Sequence, residues 1–428
     1  KSASDSHPVV GFATVNRADL WVGRIGLSKA QILAAKAQLV FVWSGFPGDT
    51  FVAPMQLMNN AVFHTRRPLG APGFTIGSND GGDPSRAYWQ TDVAVPSALA
   101  TLDADGRPLV FSRKGAFFQI TDESLQIGYL APVFADDQPN ISYTAGLQFG
   151  NVVALFSPDG RALVFDPARS TTEMRSFRLN IPKGSASVPI AFENALLVPL
   201  SNGQVKLLDV ATGADKVGPF QPSLKAGETV KWNRPVTVAN GSQFVIADSK
   251  NHVYRVAVQT QGRPRLVAAA KTILQDQIVT QLAELDNFVF AGARYDDSDV
   301  LLSFSATKLE PRDVLRLEGR VTWGPVSSGG RILLATSAGR LLCFGADQKL
   351  QWSVAMTHGS PTGDPLVMDN DYLIATTGGA ILRLSEKGEL VGVTEIGEPL
   401  HGTPLLYDGK IAAIGSDGTF FLVDLPQD

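Results

Sequence analysis

The chain has 428 residues, of which 44% are hydrophobic and 18% charged, and its formal net charge is -4. This composition is typical of a folded protein and excludes a disordered one. The lack of a basic excess argues against a nucleic-acid partner. The longest apolar runs, such as residues 195–200, are far shorter than the roughly 20 residues of a membrane helix, so we expect no membrane span. Because Cys343 is the sole cysteine, an intrachain disulfide and a cysteine-based metal site are both excluded.

Residues 1–37 form an N-terminal extension ahead of the repeats. The first residue is Lys1, with neither a starting Met nor an apolar signal segment, so we expect an exported chain that has lost a signal peptide or membrane anchor upstream. Ser28 and Gln31 have the spacing of a capping box. They predict a short helix over residues 28–37.

Residues 38–428 show an internal repeat of about 40 to 50 residues, which is the period of propeller blades. Each unit reads as strand, turn, strand, turn, strand, and glycines such as Gly203, Gly339 and Gly379 stand where tight hairpins need a positive φ. A single antiparallel meander cannot bury both of its faces, so neighbouring units must stack. The repeat therefore predicts an all-β fold, a single β-propeller with four-stranded antiparallel blades.

Nine unit starts can be recognised, most of them at a proline, which fits the first residue of a strand because that residue need not donate to the ladder. They lie at Pro54, Pro96, near Gly146, Pro189, Pro235, near Gln281, Pro325, Pro365 and Pro404. Since one unit could lie outside the ring, eight and nine blades both remain open. The last unit lacks a fourth strand, and we expect a strand at about residues 38–44 to supply it and close the ring.

The segments Leu208–Gly213 and Cys343–Trp352 resemble the tryptophan-docking repeat of the pyrroloquinoline-quinone-like propellers. The resemblance implies that a Trp near the end of the fourth strand docks against the next blade. Trp43, Trp89 and Trp352 stand at that place. Dehydrogenases of this family hold a quinone and Ca²⁺, but we find no matching Glu, Asn and Asp constellation. The chain is closer in character to the outer-membrane-assembly lipoprotein type, whose ring binds proteins without chemistry.

The residues just before the proline-led strands are the candidate binding site. In a propeller the innermost strands line the channel, so equivalent positions fall on one ring. Trp and Arg dominate binding hot spots, and the ring offers both. The candidates at this channel mouth are Trp232, Asn233, Arg234, Trp323, Asp364 and His401. The competing interpretation is that the two Trp side chains simply plug the hub or pack between blades.

Motifs for catalysis were not found. The five histidines are far apart in sequence, and neither a nucleophile elbow nor a P-loop is present. The oxygen-rich segment Tyr295–Asp299 lacks the spacing of an EF-hand, so we expect no bound metal and no cofactor.

The leading hypothesis is a non-catalytic protein-binding or scaffolding module, in the periplasm or elsewhere in the cell envelope, whose partner is another protein. The alternative is a propeller that binds a small ligand or a glycan, or a degenerate quinoprotein, at the channel mouth.

Overall fold

The structure is a computed structural model. It describes residues 189–225, 228–407, 409–416 and 421–427 throughout, and elsewhere it describes the strands given below and a few residues beside them. The helix predicted at residues 28–37 lies outside the described residues. The chain divides into two compact units, residues 1–94 with 414–424, and residues 95–413 with 425–428.

The first unit contains eight strands from the N-terminal part of the chain. They are β1 (Val9–Thr14), β2 (Arg17–Ile25), β3 (Leu39–Trp43), β4 (Thr50–Phe51), β5 (Gln56–Met58), β6 (Ala61–Arg67), β7 (Thr75–Asn79) and β8 (Arg86–Gln90). Strands β1, β2 and β3 form a three-stranded sheet, and a second sheet has the order β4-β6-β5 with β7 also pairing with β6. The unit predicted to start at Pro54 falls in this second sheet, where β5, β6 and β7 pair consecutively and antiparallel, and β4 also pairs with β6.

The second unit contains a series of antiparallel meanders. The first three sheets consist of β9 (Ala100–Leu102), β10 (Pro108–Phe111), β11 (Phe117–Thr121) and β12 (Ser124–Tyr129); β13 (Ala145–Phe149), β14 (Val152–Phe156), β15 (Arg161–Phe165) and β16 (Arg175–Arg178); and β17 (Ile190–Phe192), β18 (Ala195–Pro199) and β19 (Val205–Asp209). The third sheet has three strands, and single bridges join β19 to Asp215 and Phe220 in place of a regular fourth strand.

Four further four-stranded meanders follow. They consist of β20 (Val236–Val238), β21 (Gln243–Ala247), β22 (His252–Gln259) and β23 (Arg265–Ile273); β24 (Ile278–Leu285), β25 (Phe288–Tyr295), β26 (Ser298–Ser305) and β27 (Leu315–Arg316); β28 (Val321–Ser328), β29 (Arg331–Thr336), β30 (Arg340–Phe344) and β31 (Leu350–Ala355); and β32 (Pro361–Met368), β33 (Asp371–Thr376), β34 (Ala380–Leu384) and β35 (Leu390–Glu395). Strand β36 (Leu405–Tyr407) then pairs with β37 (Lys410–Ile414).

Hairpin chemistry explains why these strands turn where they do. The turns between the first and second strands place two residues at positive φ, as at Asp286 and Asn287 (50° and 64°) and at Asp369 and Asn370 (51° and 72°). Two successive positive φ values define the type I′ turn, whose twist suits a two-residue hairpin and which Asn, Asp and Gly tolerate best.

The hydrophobic core lies between successive sheets. One cluster joins the sheet β17–β19 to the sheet β20–β23, where the rings of Phe192 and Phe244 meet edge to face with centroids 5.3 Å apart. Similar clusters join each of the next three pairs of sheets. The first strands β20, β24, β28 and β32 also lie against one another in chain order. Face-to-face sheets with adjoining first strands are the arrangement expected of propeller blades.

The last strand of the chain, β38 (Thr419–Val423), pairs antiparallel with β8 in the first unit, with Phe420 opposite Trp89. A strand from the N-terminal part therefore does pair with the last strand, but the expectation that it would be residues 38–44 is wrong. Strand β3 instead pairs with β2. The physical reason is connectivity: a fourth strand leads directly into the next meander, as β8 leads to β9, whereas the sheet β4–β7 follows β3.

Candidate functional site

The starts of several first strands meet at one cleft, which we call the inner-strand cleft. Its volume is about 370 Å³, and its lining includes Arg234, Thr280, Gln281, Trp323, Gly363 and Asp364. These residues come from four consecutive sheets or from the connections that lead into them. Because every such connection arrives at the same end of its meander, residues distant in sequence become neighbours here. The cleft brings together three of the six predicted channel-mouth residues, namely Arg234, Trp323 and Asp364.

Hydrogen bonds from side chains to the backbone of the next sheet hold the cleft in shape. Asn233 donates its side-chain amide to the carbonyl of Thr280 at 2.6 Å, and Gln281 donates to the carbonyl of Pro325 at 3.0 Å. The indole N–H of Trp323 donates to the carbonyl of Gly363 at 3.1 Å. Each bond crosses from one sheet to its neighbour, so the walls are preorganised rather than loose loops.

Glycine at position 363 permits close approach of the next connection. Its φ is 65°, and a Cβ atom built there would lie 2.1 Å from the carbonyl carbon of Gly402. The hydroxyl of Thr403 accepts a hydrogen bond from the N–H of Asp364 at 2.8 Å on the same side. Only a residue without a side chain fits between these backbones.

Arg234 and Asp364 give the cleft both signs of charge. The guanidinium of Arg234 forms one hydrogen bond to the described residues, a long one of 3.4 Å to the side-chain oxygen of Gln281, and its side chain is half-buried. Asp364 is exposed. The cleft can therefore offer donors on one side, a carboxylate on the other and an indole ring between the two.

The remaining predicted residues lie in different surroundings. Trp232 is buried in the core and packs against Tyr254 and Phe220, with ring centroids 6.0 and 6.5 Å away. Its indole N–H has no hydrogen-bond acceptor among the described residues. Asn233 is half-buried and engaged with the next sheet, and His401 is half-buried on the connection that leads to β36. For Trp232 the structure matches the interpretation of a Trp packed between sheets.

A buried carboxylate supports the environment of Trp232. Asp248 is 1% exposed and accepts hydrogen bonds from the N–H groups of Lys250 and His252 and from the hydroxyl of Tyr254. The ring Nδ1 of His252 lies 3.1 Å from the same carboxylate. Burial, followed by the negative charge of Asp248, raises the pKa of Tyr254 above its ordinary value. These hydrogen bonds offset the cost of burying the Asp248 carboxylate, and they hold the turn at residues 248–252, which lies next to Trp232.

Trp352 contacts the next meander. Its indole N–H donates to the carbonyl of Glu386 in the next meander at 2.9 Å, and a Cβ atom built on Gly388 would lie 2.5 Å from its ring. Its ring centroid lies 6.1 Å from that of Tyr372. Trp43 and Trp89 belong to β3 and β8, but their side chains fall outside the described part.

The oxygen-rich turn at Tyr295–Asp299 is occupied by cationic side chains. Asp299 is fully buried and accepts hydrogen bonds from Arg294 at 3.1 Å and Arg320 at 2.9 Å. Across the described ranges, no group of three or more His, Cys, Asp and Glu side chains could hold a metal ion. The described residues also contain no helix long and apolar enough to cross a membrane.

Thr280 and Gln281 line the cleft but were absent from the predicted set. Their unit starts without the proline that marks most other units, because Leu282 stands in its place. Aligning the sequences of the meanders could have found them. Gln281 directly precedes Leu282, just as Arg234 and Asp364 directly precede the prolines of their own units.

The described sheets define an all-β protein with a β-propeller-like fold. BamB from Moraxella catarrhalis has a similar structure, with a TM-score of 0.55 and 14% identity over 79% of this chain and 98% of BamB. The computationally designed Ika8 protein has a TM-score of 0.57 and 12% identity over 78% of this chain and 98% of its own. At such identities the likeness shows the fold alone. No family model and no curated protein matches the chain.

Proposed function

We propose that this chain is a non-catalytic β-propeller of the cell envelope that binds another protein through the inner-strand cleft. The observation that carries the proposal is the meeting of Arg234, Trp323 and Asp364, from three different sheets, on one preorganised surface. Aromatic and Arg side chains held in place are the usual anchors of protein interfaces. The assignment to the periplasm is supported by the fold shared with BamB.

We infer that the propeller has eight blades rather than nine. Seven meanders run in order from β9 to β35, and the pair β36–β37 begins an eighth. A closed ring protects its sheet edges and presents the first strands to one axis. The cleft then lies where a partner can contact several blades at once.

Site-specific crosslinking tests the proposed surface. A photo-reactive amino acid at the exposed cleft residue Thr322 is expected to capture a partner in intact cells, whereas the same group at the exposed Lys308, which lies in the turn at the other end of its meander, is not. Arg234→Gln in the Thr322-labelled chain is expected to reduce capture at least tenfold, which corresponds to about 1.4 kcal/mol. Equal capture at both positions, or a free monomer in native extracts, would count against the proposal.

A small ligand or glycan remains the second candidate, favoured by the size of the cleft. A volume of about 370 Å³ falls within the usual range of small-molecule sites, and the lining combines an indole with amide and hydroxyl groups. A thermal-shift screen with a glycan panel, and with a quinone plus Ca²⁺, tests this candidate. Stabilisation that Trp323→Ala abolishes would favour it over protein binding.

A further inference from the structure

A second groove lies on a different part of the same unit, which we call the hairpin groove. It lies between Gly218–Pro219 and the tip of the hairpin that joins β22 to β23, residues 259–265, and its volume is about 480 Å³. This hairpin has strands of eight and nine residues, whereas β30 and β31 have five and six. The hairpin therefore extends further than its counterpart.

The tip of the hairpin is anchored to the neighbouring sheet. The N–H of Gly218 donates to the carbonyl of Pro264 at 2.9 Å, and the N–H of Leu266 donates back to the carbonyl of Gly218 at 2.9 Å. A Cβ atom built on Gly218 would lie 3.1 Å from the Cβ atom of Arg265. A turn fixed by two backbone hydrogen bonds presents its side chains at set positions, which is what binding without a large loss of conformational entropy requires.

The lining of the groove is rich in donors and has no carboxylate. It includes Arg263, Arg265, Gln259 and Gln261, whereas Asp and Glu are absent from it. In the described part of the chain, the side chain of Arg265 donates one hydrogen bond, from its Nε to the side-chain oxygen of Gln259 at 3.3 Å, and neither arginine forms an ion pair. In a chain with net charge -4, this is a local concentration of unpaired positive charge.

The spacing of the two arginines indicates what they would bind. Both arginines line the same groove, and Pro264 alone separates them along the chain. Side chains at alternate positions of an extended peptide lie on one face about 6.6 Å apart, so a pair of neighbouring guanidinium groups suits carboxylates at such positions. The amides of Gln259 and Gln261 both donate and accept, as the backbone of a peptide requires and as a bare phosphate does not.

We infer that the hairpin groove binds an extended acidic peptide segment, with carboxylates at alternate positions paired to Arg263 and Arg265. Arginine suits this role because its planar guanidinium forms two parallel hydrogen bonds with a carboxylate. The inference does not depend on the inner-strand cleft, since the two sites share no residue.

Calorimetry with synthetic peptides tests this site on the full chain. The probe is a ten-residue Gly/Ser peptide that carries two Glu residues separated by one Gly. We expect it to bind about ten times more tightly than the same peptide with Gln in place of Glu. Its affinity should fall as the salt concentration rises, because exposed ion pairs are screened. A peptide with the two Glu residues separated by two Gly residues should bind more weakly than the probe.

Matched variants locate the binding. Arg263→Gln with Arg265→Gln is expected to reduce affinity at least about tenfold, since both charge-assisted pairs are lost. Arg331→Gln removes an exposed arginine from the start of β29 and should leave affinity unchanged. Trp323→Ala should also leave it unchanged, so that failure here and failure of the inner-strand cleft can be told apart.

Three results would overturn the inference. One is equal binding of the Glu and Gln peptides, and another is unchanged affinity in the double arginine variant. The third is Arg-dependent binding of inorganic phosphate, or of vesicles containing phosphatidylglycerol, that is tighter than binding of the acidic peptide. That last result would assign the groove to phosphate groups in place of a peptide.

Discussion

Trp232 and Trp323 both precede a proline near the start of a first strand, yet one side chain lies in the core and the other borders a cleft. Trp232 stands three residues ahead of Pro235 and is 5% exposed within an aromatic cluster. Trp323 stands two residues ahead of Pro325, is half-buried, and borders the inner-strand cleft. A shift of one residue in an extended segment turns a side chain to the other face, so near-identical motifs yield one core residue and one surface residue.

The surroundings reinforce this difference. The region of Trp232 is closed by Phe220 and Tyr254, and the buried Asp248 network lies next to it. Trp323 packs on one side against the cluster that contains Leu333 and Cys343, while its indole N–H reaches the next sheet. The closed region contributes stability, and the open one combines modest stability with an accessible surface.

The largest effect is expected from truncating the closed region. Trp232→Ala should lower the free energy of unfolding by about 3–5 kcal/mol, because it removes a buried indole and leaves a cavity. Urea denaturation followed by circular dichroism measures this change. Trp232→Phe is the control: it retains an aromatic ring and removes the N–H that has no acceptor among the described residues, so it should recover most of the loss. Equal losses in both variants would contradict the role of the cavity.

A smaller loss is expected in the open region. Trp323→Ala should lower the free energy of unfolding by about 1–2 kcal/mol, since the side chain is only half-buried. The same denaturation experiment gives the value, and the native circular dichroism spectrum should be retained. A loss as large as that of Trp232→Ala would show that Trp323 is a core residue and would remove the distinction between the two regions.

The smallest effect concerns alkaline pH and the core beneath Trp323. Burial raises the pKa of the Cys343 thiol to about 12. The folded pKa is raised, so this stabilisation is complete below the unfolded pKa of about 9 and is lost as pH rises towards the folded value. We expect Cys343 to lower stability by about 1 kcal/mol between pH 8 and pH 10.

Cys343→Ala should flatten the stability profile over this range after its constant packing loss is subtracted. Unfolding midpoints in urea at pH 8, 9 and 10 provide the measurement. An unchanged slope in the variant would assign the alkaline loss elsewhere, for example to Tyr254, whose pKa is raised with the same sign.

Much of the fold follows from local sequence chemistry. Turn residues such as Asp369 and Asn370, and apolar segments such as Leu196–Val198, predict the strands and the hairpins between them, since both depend on neighbours along the chain. The pairing of β8 with the last strand was harder to predict. The sequence favours residues 38–44 for this role, whereas the structure pairs residues 86–90 with the last strand.

The candidate site was predictable in part, for a related reason. Arg234, Trp323 and Asp364 could be found because they stand ahead of a proline in their units, whereas Thr280 and Gln281 have no such marker. The hairpin groove was not predicted at all. Its two walls, Gly218 and the tip at Arg263, are some 45 residues apart and meet only through backbone hydrogen bonds.

The sequence by itself therefore determined the repeating antiparallel meander and the end of each meander where polar and aromatic side chains collect, because strand periodicity and turn chemistry are local. Tertiary structure alone decided which of those side chains is buried, which lines a cleft and which strand pairs with the last one. These outcomes depend on sheet-to-sheet packing, where a shift of one residue or a different neighbour reverses the environment of a side chain.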